Sequence, residues 1–204
     1  MSKIKDGLKL RGAPVEIPDC LRADLPEFFK EMGYKVGAEI GVDRGIFSEI
    51  IGKSGLKLYC IDPWTDYYNY QRSTIDQVGL DKMHDAVKKR LAPYDCTLIR
   101  KTSMEALEDF KDESLDFVYI DGNHNFRYVS EDIWEWYRKV KKGGVISGHD
   151  YVFTPGDPYR THACHVWYVV PVITKVLGIR NWYVLGERYV PNRDRHRSWF
   201  FIKP

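Results

Sequence analysis

The 204-residue sequence is short of the features that would tie it to a membrane, a nucleic acid or an oxidising compartment. No stretch approaches the ~20 apolar residues of a membrane span, and the opening MSKIKDGLKLRG has no apolar core of signal length. Lys plus Arg number 31 against 29 Asp plus Glu, so no global field draws in nucleic acid, which is disfavoured as a partner. The four cysteines, Cys20, Cys60, Cys96 and Cys164, stand far apart with no C-x-x-C pair. That excludes a disulfide framework and fits buried thiols in a reducing, cytoplasmic setting. What remains is enough chain for one domain with a substantial core, rich in aromatics.

A second absence is more informative. Residues 35–48, KVGAEIGVDRGIFS, run from an apolar strand through Glu39 into glycines at Gly41 and Gly45, then into Ile46, Phe47, Ile50 and Ile51 at helical spacing. Strand, tight turn and helix start make a nucleotide-sized seat, because glycines let the backbone approach a ligand and a helix start offers unpaired N–H groups. The dinucleotide fingerprint G-x-G-x-x-G needs a second glycine where Val42 or Asp43 stands. A pyrophosphate ligand, and with it a nicotinamide oxidoreductase, is disfavoured.

The rest of the chain alternates β and α. Residues 1–20 are charged, carry Gly7, Gly12, Pro14 and Pro18, and show no period, which predicts an arm or loose lid ahead of a domain over 21–204. Leu25, Phe28, Phe29 and Met32 recur at helical spacing up to Gly33. Strands are expected over 56–62, 97–99, 115–120 and 145–147. Between them lie a helix at 76–91, a short helix opened by the Thr102–Glu105 capping box, and a long helix carrying Val129, Ile133, Trp136, Tyr137 and Val140. Residues 166–177 read as a helix with Pro171 in its first turn or at a kink, and 181–185 with 198–202 as a hairpin. The fold class is therefore α/β, a Rossmann-like doubly wound sheet of seven strands, mostly parallel with an antiparallel C-terminal hairpin strand.

Ligands of such sheets bind beyond the carboxyl ends of the strands. Glu39, Asp62, Asp121 and Asp150 each close an apolar strand, so all four carboxylates are expected on one rim. Asp62 lies ~20 residues past the glycine turn, the interval at which an acid accepts from ribose hydroxyls. His124, His149, His162 and His165 fall on the same rim or the adjoining loop. Tyr67, Tyr68 and Tyr70 on one side, and the loop from Tyr151 to Tyr159 on the other, would wall a second pocket suited to a sugar or an aromatic ring. THACH has only half a zinc site and reads as a helix entry, and Arg193, Arg195, His196 and Arg197 read as a solvated turn.

EIGVDRG, LYCIDPW, LDFVYIDGNHNFRYV, KKGGVISGHDY and SWFFIK, in this order, resemble the class-24 branch of class I S-adenosylmethionine-dependent methyltransferases. The resemblance implies S-adenosylmethionine as cofactor, bound by Glu39, Gly41, Gly45, Asp62, Ser103, Met104 and Asp121. Glu39 would face the methionine ammonium or order the turn, and Ser103 with Met104 would hold the adenine edge. It also implies that Asp121 and Asp150 match the two acidic ligands of metal-dependent O-methyltransferases, with Mg²⁺ as an optional second cofactor, and that His124 in the DG-x-H pattern is a base or ligand. The third ligand is open, because Tyr151 follows Asp150 where an amide or acid is common. The reading is methyl transfer to a small-molecule acceptor, foremost at oxygen, with Asp121, His124 and Asp150 catalytic. The rival is a non-catalytic cofactor-binding or assembly module; a homodimer through the aromatic hairpin is open.

Overall fold

The computed structural model describes residues 2–65, 75–153, 164–186 and 196–204. Five strands run parallel: β2 (Val36–Ile40), β3 (Lys57–Ile61), β4 (Cys96–Ile99), β5 (Leu115–Ile120) and β6 (Val140–Gly148). β8 (Trp199–Ile202) lies antiparallel to β6 and to β7 (Tyr183–Leu185), and β1 (Val15–Ile17) closes the far edge parallel to β7. The sheet order is β1-β7-β8-β6-β5-β2-β3-β4. From β2 the chain steps outward through β3 and β4, then returns to β2's other side as β5. The crevice between β2 and β5 is thus the switch point, where ligands of such sheets bind.

Helices cover both faces. α1 (Lys3–Gly7), α2 (Leu25–Glu31), α3 (Ile46–Lys53) and α4 (Gln77–Leu91) pack on one side through Ile4, Phe28, Phe29, Phe47, Ile51 and Val87. α5 (Ser103–Ala106), α6 (Phe126–Lys139) and α7 (Val166–Val176) pack on the other through Ala106, Val129, Ile133, Trp136, Val166 and Val170. This double cover is why β5 reads as the nearly unbroken apolar run LDFVYI. Its lone acid, Asp116, accepts from the backbone of Lys35 and Val36 at the opposite end of the sheet from the site. Phe117 stacks on Phe29 with ring centres 4.2 Å apart and crosses Gly37, where any Cβ would sit 2.3 Å from the ring. Full burial of such a ring contributes about 1.5–3 kcal/mol.

Two expectations need adjusting. The sheet has eight strands, not seven, and the extra one lies in the segment read as an arm: Val15, Glu16 and Ile17, bracketed by Pro14 and Pro18, are too few to show alternation. That segment is docked, since the Ser2 backbone N–H and hydroxyl both donate to Glu31, at 2.7 and 2.6 Å. The long helix stops at Lys139, one residue early, because Val140 pairs with Leu115 and starts β6. Of the two placements open to Pro171, the first turn is ruled out: it lies inside α7, and Thr174 donates to the Val170 carbonyl there. Among the described residues no helix is long and apolar enough to cross a membrane, and all four cysteines are free.

Candidate active site

A cavity of about 260 Å³ opens at the switch point, lined by the ends of β2, β3 and β5 and by α5 and α6. Gly41 leaves β2 with φ +87°, and a Cβ there would lie 2.3 Å from the Asp121 carbonyl. Only glycine lets the two strand ends approach this closely. Gly45, at φ +69°, starts α3 but does not line the cavity.

Asp62 lines the cavity and ties its rim together. One oxygen accepts from the backbone N–H of Val42 and Asp43, at 3.0 and 2.9 Å, and the other from that of Trp64 at 2.9 Å. Trp64 is buried, adopts φ +40°, and its indole donates to the Asp43 carbonyl, closing the knot between the two strand ends. A carboxylate accepts up to about four bonds, so capacity for a ribose hydroxyl remains.

Glu39 sits elsewhere. It is the penultimate residue of β2, and pleat alternation turns it under the sheet toward α3 while Ile40 faces the cavity. It is buried, and Ser48 of α3 donates to it in a short hydrogen bond. Burial pushes its carboxyl well above the usual range, and the Ser48 hydrogen bond acts in the other direction.

Ser103 and Met104 line the opposite wall. The Ser103 hydroxyl donates to Asp132 in a short bond and accepts from the Trp136 indole at 2.7 Å. Burial pushes the Asp132 carboxyl up to about 7, so a half-neutral acid faces the cavity. Asp132, Trp64, Arg127, Tyr128 and Glu131 were not singled out from sequence as lining residues. Asp132 left a signal: with Val129, Ile133 and Trp136 it falls on the apolar stripe of α6, a carboxylate where packing wants none.

Beyond the cavity, at the ends of β5 and β6, three histidines surround two carboxylates. His124 Nε2 lies 2.8 Å from Asp150 Oδ2 and 3.4 Å from Asp121 Oδ1. His149 Nδ1 lies 3.5 and 3.9 Å from the same two oxygens, and His196 Nδ1 makes a short contact to the other Asp150 oxygen. One donor atom each from Asp121, His124 and Asp150 fall within 4.8 Å of one another. Asp150 adopts φ +56°, in the left-handed region. Burial acts against ionised Asp150, yet His124 and His149 hold its carboxyl far below the usual range. Burial would likewise lower His124, but Asp121 and Asp150 outweigh it and push its pKa up to about 10. Asp121 also meets the Arg22 guanidinium at 3.4 Å, which lies over the Phe47 ring.

Asp62, Asp121 and Gly41 with Ser103 and Met104 therefore come together around one cavity, and Asp121 hands on to Asp150 and His124. Glu39 and Gly45 support from behind. Tyr151 does not wall a pocket: it is buried against Trp167 and Trp182. His165 belongs to the framework, as its Nδ1 accepts from the Phe126 N–H at the start of α6. Tyr67, Tyr68, Tyr70, Tyr159, His162, Arg193 and Arg195 lie outside the described residues. His196, read as part of a solvated turn, is at the site instead; 46 positions separate it from Asp150, and no local pattern marks it.

The Methyltransf_24 family, a methyltransferase domain, matches residues 38–151. Over 70 residues the chain is 36% identical to the uncharacterised protein y4gI of Sinorhizobium fredii, covering 34% of this chain and 7% of that protein, so the chain spans a small part of that relative. Many solved structures share the fold, among them these three. The O-methyltransferase TomG from Streptomyces achromogenes, involved in tomaymycin synthesis and solved with S-adenosylmethionine, has a TM-score of 0.61 at 13% identity, covering 90% of this chain and 79% of that one. A caffeoyl-CoA O-methyltransferase homologue from Staphylococcus aureus gives 0.61 at 16%, covering 92% and 85%. The O-methyltransferase from Bacillus cereus, in complex with S-adenosylhomocysteine, gives 0.58 at 15%, covering 89% and 80%. With the family match spanning more than half of the sequence, the chain belongs to the Methyltransf_24 family of methyltransferase domains.

Proposed function

We propose that the protein transfers a methyl group from S-adenosylmethionine to an oxygen of a small-molecule acceptor, with a divalent cation at Asp121 and Asp150. One observation carries this reading: the cavity at the switch point ends on Asp121, so a nucleoside seated along Asp62, Ser103 and Met104 would point its reactive end at the Asp121, His124 and Asp150 cluster.

The cavity suits the sulfur nucleoside. Ile40, Ile61, Trp64, Leu80 and Met104 supply apolar surface for a base, while Asp62 accepts from ribose hydroxyls. Asp132 and Ser103 offer a carboxyl and a hydroxyl at the base's polar edge. Displacement at an activated methyl needs chiefly alignment, which a rigid seat supplies.

The cluster suits a cation, since it combines two carboxylates with the His124 imidazole, whose Nε2 has no hydrogen-bond partner among the described residues. When bound, a divalent ion there supplies a Lewis acid that lowers the pKa of an acceptor hydroxyl. The chain's own residues do the rest: Asp121 and Asp150 draw the hydroxyl to the mouth of the cavity, and the imidazoles beside Asp150 take part in carrying its proton away.

The test is conversion of S-adenosylmethionine to S-adenosylhomocysteine with a panel of catechols, phenols and sugars, followed by mass spectrometry. Methylated hydroxyl product is the expected result. Tight cofactor binding with no turnover on any hydroxyl, amine or thiol acceptor would favour the non-catalytic module.

A further inference from the structure

We propose that Arg22, in the segment ahead of residues 38–151 that the family matches, holds the carboxylate of the amino-acid tail of the sulfur nucleoside. This rests on the cofactor reading above and adds the residue that makes the seat specific for an amino-acid tail.

The charge of the cavity calls for such a residue. Asp43, Asp62, Asp121, Glu131 and Asp132 bring five carboxyl groups to its walls, against one cation, Arg127, among the described lining residues. That cation is already matched, since Arg127 Nε lies 2.8 Å from Glu131 one helical turn on. The tail of the nucleoside is a zwitterion, an ammonium beside a carboxylate. Acidic walls suit the ammonium and repel the carboxylate, the more so where water is partly excluded. A carboxylate can be seated there only beside a further cation.

Arg22 stands where that cation is needed. Its Nη1 lies 3.4 Å from Asp121 Oδ2, whereas the histidine cluster takes the other oxygen, Oδ1. Its Cζ lies 5.4 Å from the centre of the Phe47 ring, in the first turn of α3. Asp121 follows β5 and Phe47 follows β2, so the guanidinium sits between the two chain segments that leave the crevice. It is aimed from a fixed turn: the Leu21 N–H donates to Asp24 Oδ2 at 2.7 Å, the Asp24 N–H donates to the Leu21 carbonyl at 3.0 Å, and Leu25 beyond is fully buried. The contact to Asp121 is longer than the about 2.7–2.9 Å of a charge-assisted hydrogen bond, so it is a loose pair. A guanidinium carries five N–H donors in a planar fork that matches a carboxylate, so it can take a second one without giving up Asp121. With its side chain 27% exposed it is partly withdrawn from water, which strengthens its pull on an anion.

The full chain and its Arg22→Met variant, checked for folding by circular dichroism, are titrated calorimetrically with S-adenosylhomocysteine and with its decarboxylated analogue, which keeps the base, ribose, sulfur and ammonium. The unaltered chain should bind S-adenosylhomocysteine about tenfold or more tightly than the analogue. Arg22→Met should close that gap, weakening the first about tenfold and leaving the second within about twofold. Arg22→Lys keeps the charge without the fork and should fall between. If the unaltered chain binds both ligands alike, the assignment is overturned whether or not the variants fold. Unchanged S-adenosylhomocysteine affinity in Arg22→Met, or an equal loss for both ligands, would also overturn it, the equal loss by showing that Arg22 acts only on the shape of the site. In these three cases the cofactor reading stands. Binding of neither ligand by the unaltered chain would remove the cofactor reading and the assignment together.

Discussion

The two halves of the rim treat their carboxylates in opposite ways. On the β2–β3 side every acid already has protein donors: Asp62 accepts from three backbone N–H groups, and Glu39 accepts from Ser48. On the β5–β6 side the acids face imidazoles, two of whose buried nitrogens have no hydrogen-bond partner among the described residues. Buried polar groups normally find partners, so these two nitrogens set the second half apart from the first. The first half is a finished seat; the second, with those two unpartnered nitrogens, is the open half.

Four experiments break or sharpen that contrast. The largest effect is expected at the open half. Asp150→Asn should lower methyl transfer by about 10²-fold or more while S-adenosylhomocysteine affinity stays within about twofold; wild-type turnover would remove Asp150 from the chemistry. In the finished half, Gly41→Val places a Cβ against the Asp121 carbonyl at a positive φ. It should cost about 3 kcal/mol or more of stability, read as a lowered denaturation midpoint. A midpoint matching wild type would mean that the strand ends are less tightly apposed than they stand.

Asp62→Ala leaves three backbone N–H groups without their acceptor and should cost about 1–3 kcal/mol. It should also weaken S-adenosylhomocysteine binding about tenfold or more, and unchanged affinity would dispose of the ribose assignment. The smallest effect concerns Asp132, whose pKa is raised from 3.8 to about 7 by burial. The folded chain keeps a proton there that the unfolded chain sheds, so this contribution to stability is complete below pH 3.8 and is lost as pH rises toward about 7. Asp132→Asn should flatten the stability profile across that window, and an undiminished slope would assign it to other groups.

The parallel core was legible because each strand is a short apolar run closed by a turn, and the capping box at Thr102 marked α5 directly. β1 was not, since three residues carry no period, and it is held by pairing to β7, 168 positions away at Val15 and Tyr183. Asp121 and Asp150 were readable because they end parallel neighbours in the sheet. Glu39, one residue short of the strand end, faces the other side of the pleat, a detail of register that the pattern of strand-closing acids does not carry. Tyr151 misled, since it follows Asp150 directly but turns into the α7 core. His196 was beyond sequence reasoning, because only the return of β8 beside β6 brings its turn to Asp150.

The central claim is that the finished seat holds a sulfur nucleoside. Calorimetric titration of the full chain with S-adenosylmethionine and S-adenosylhomocysteine, with NAD as control, tests it most directly. The account predicts saturable binding of the first two, weakened in Asp62→Ala, and none of NAD. Binding of NAD, or of neither sulfur nucleoside, would contradict it.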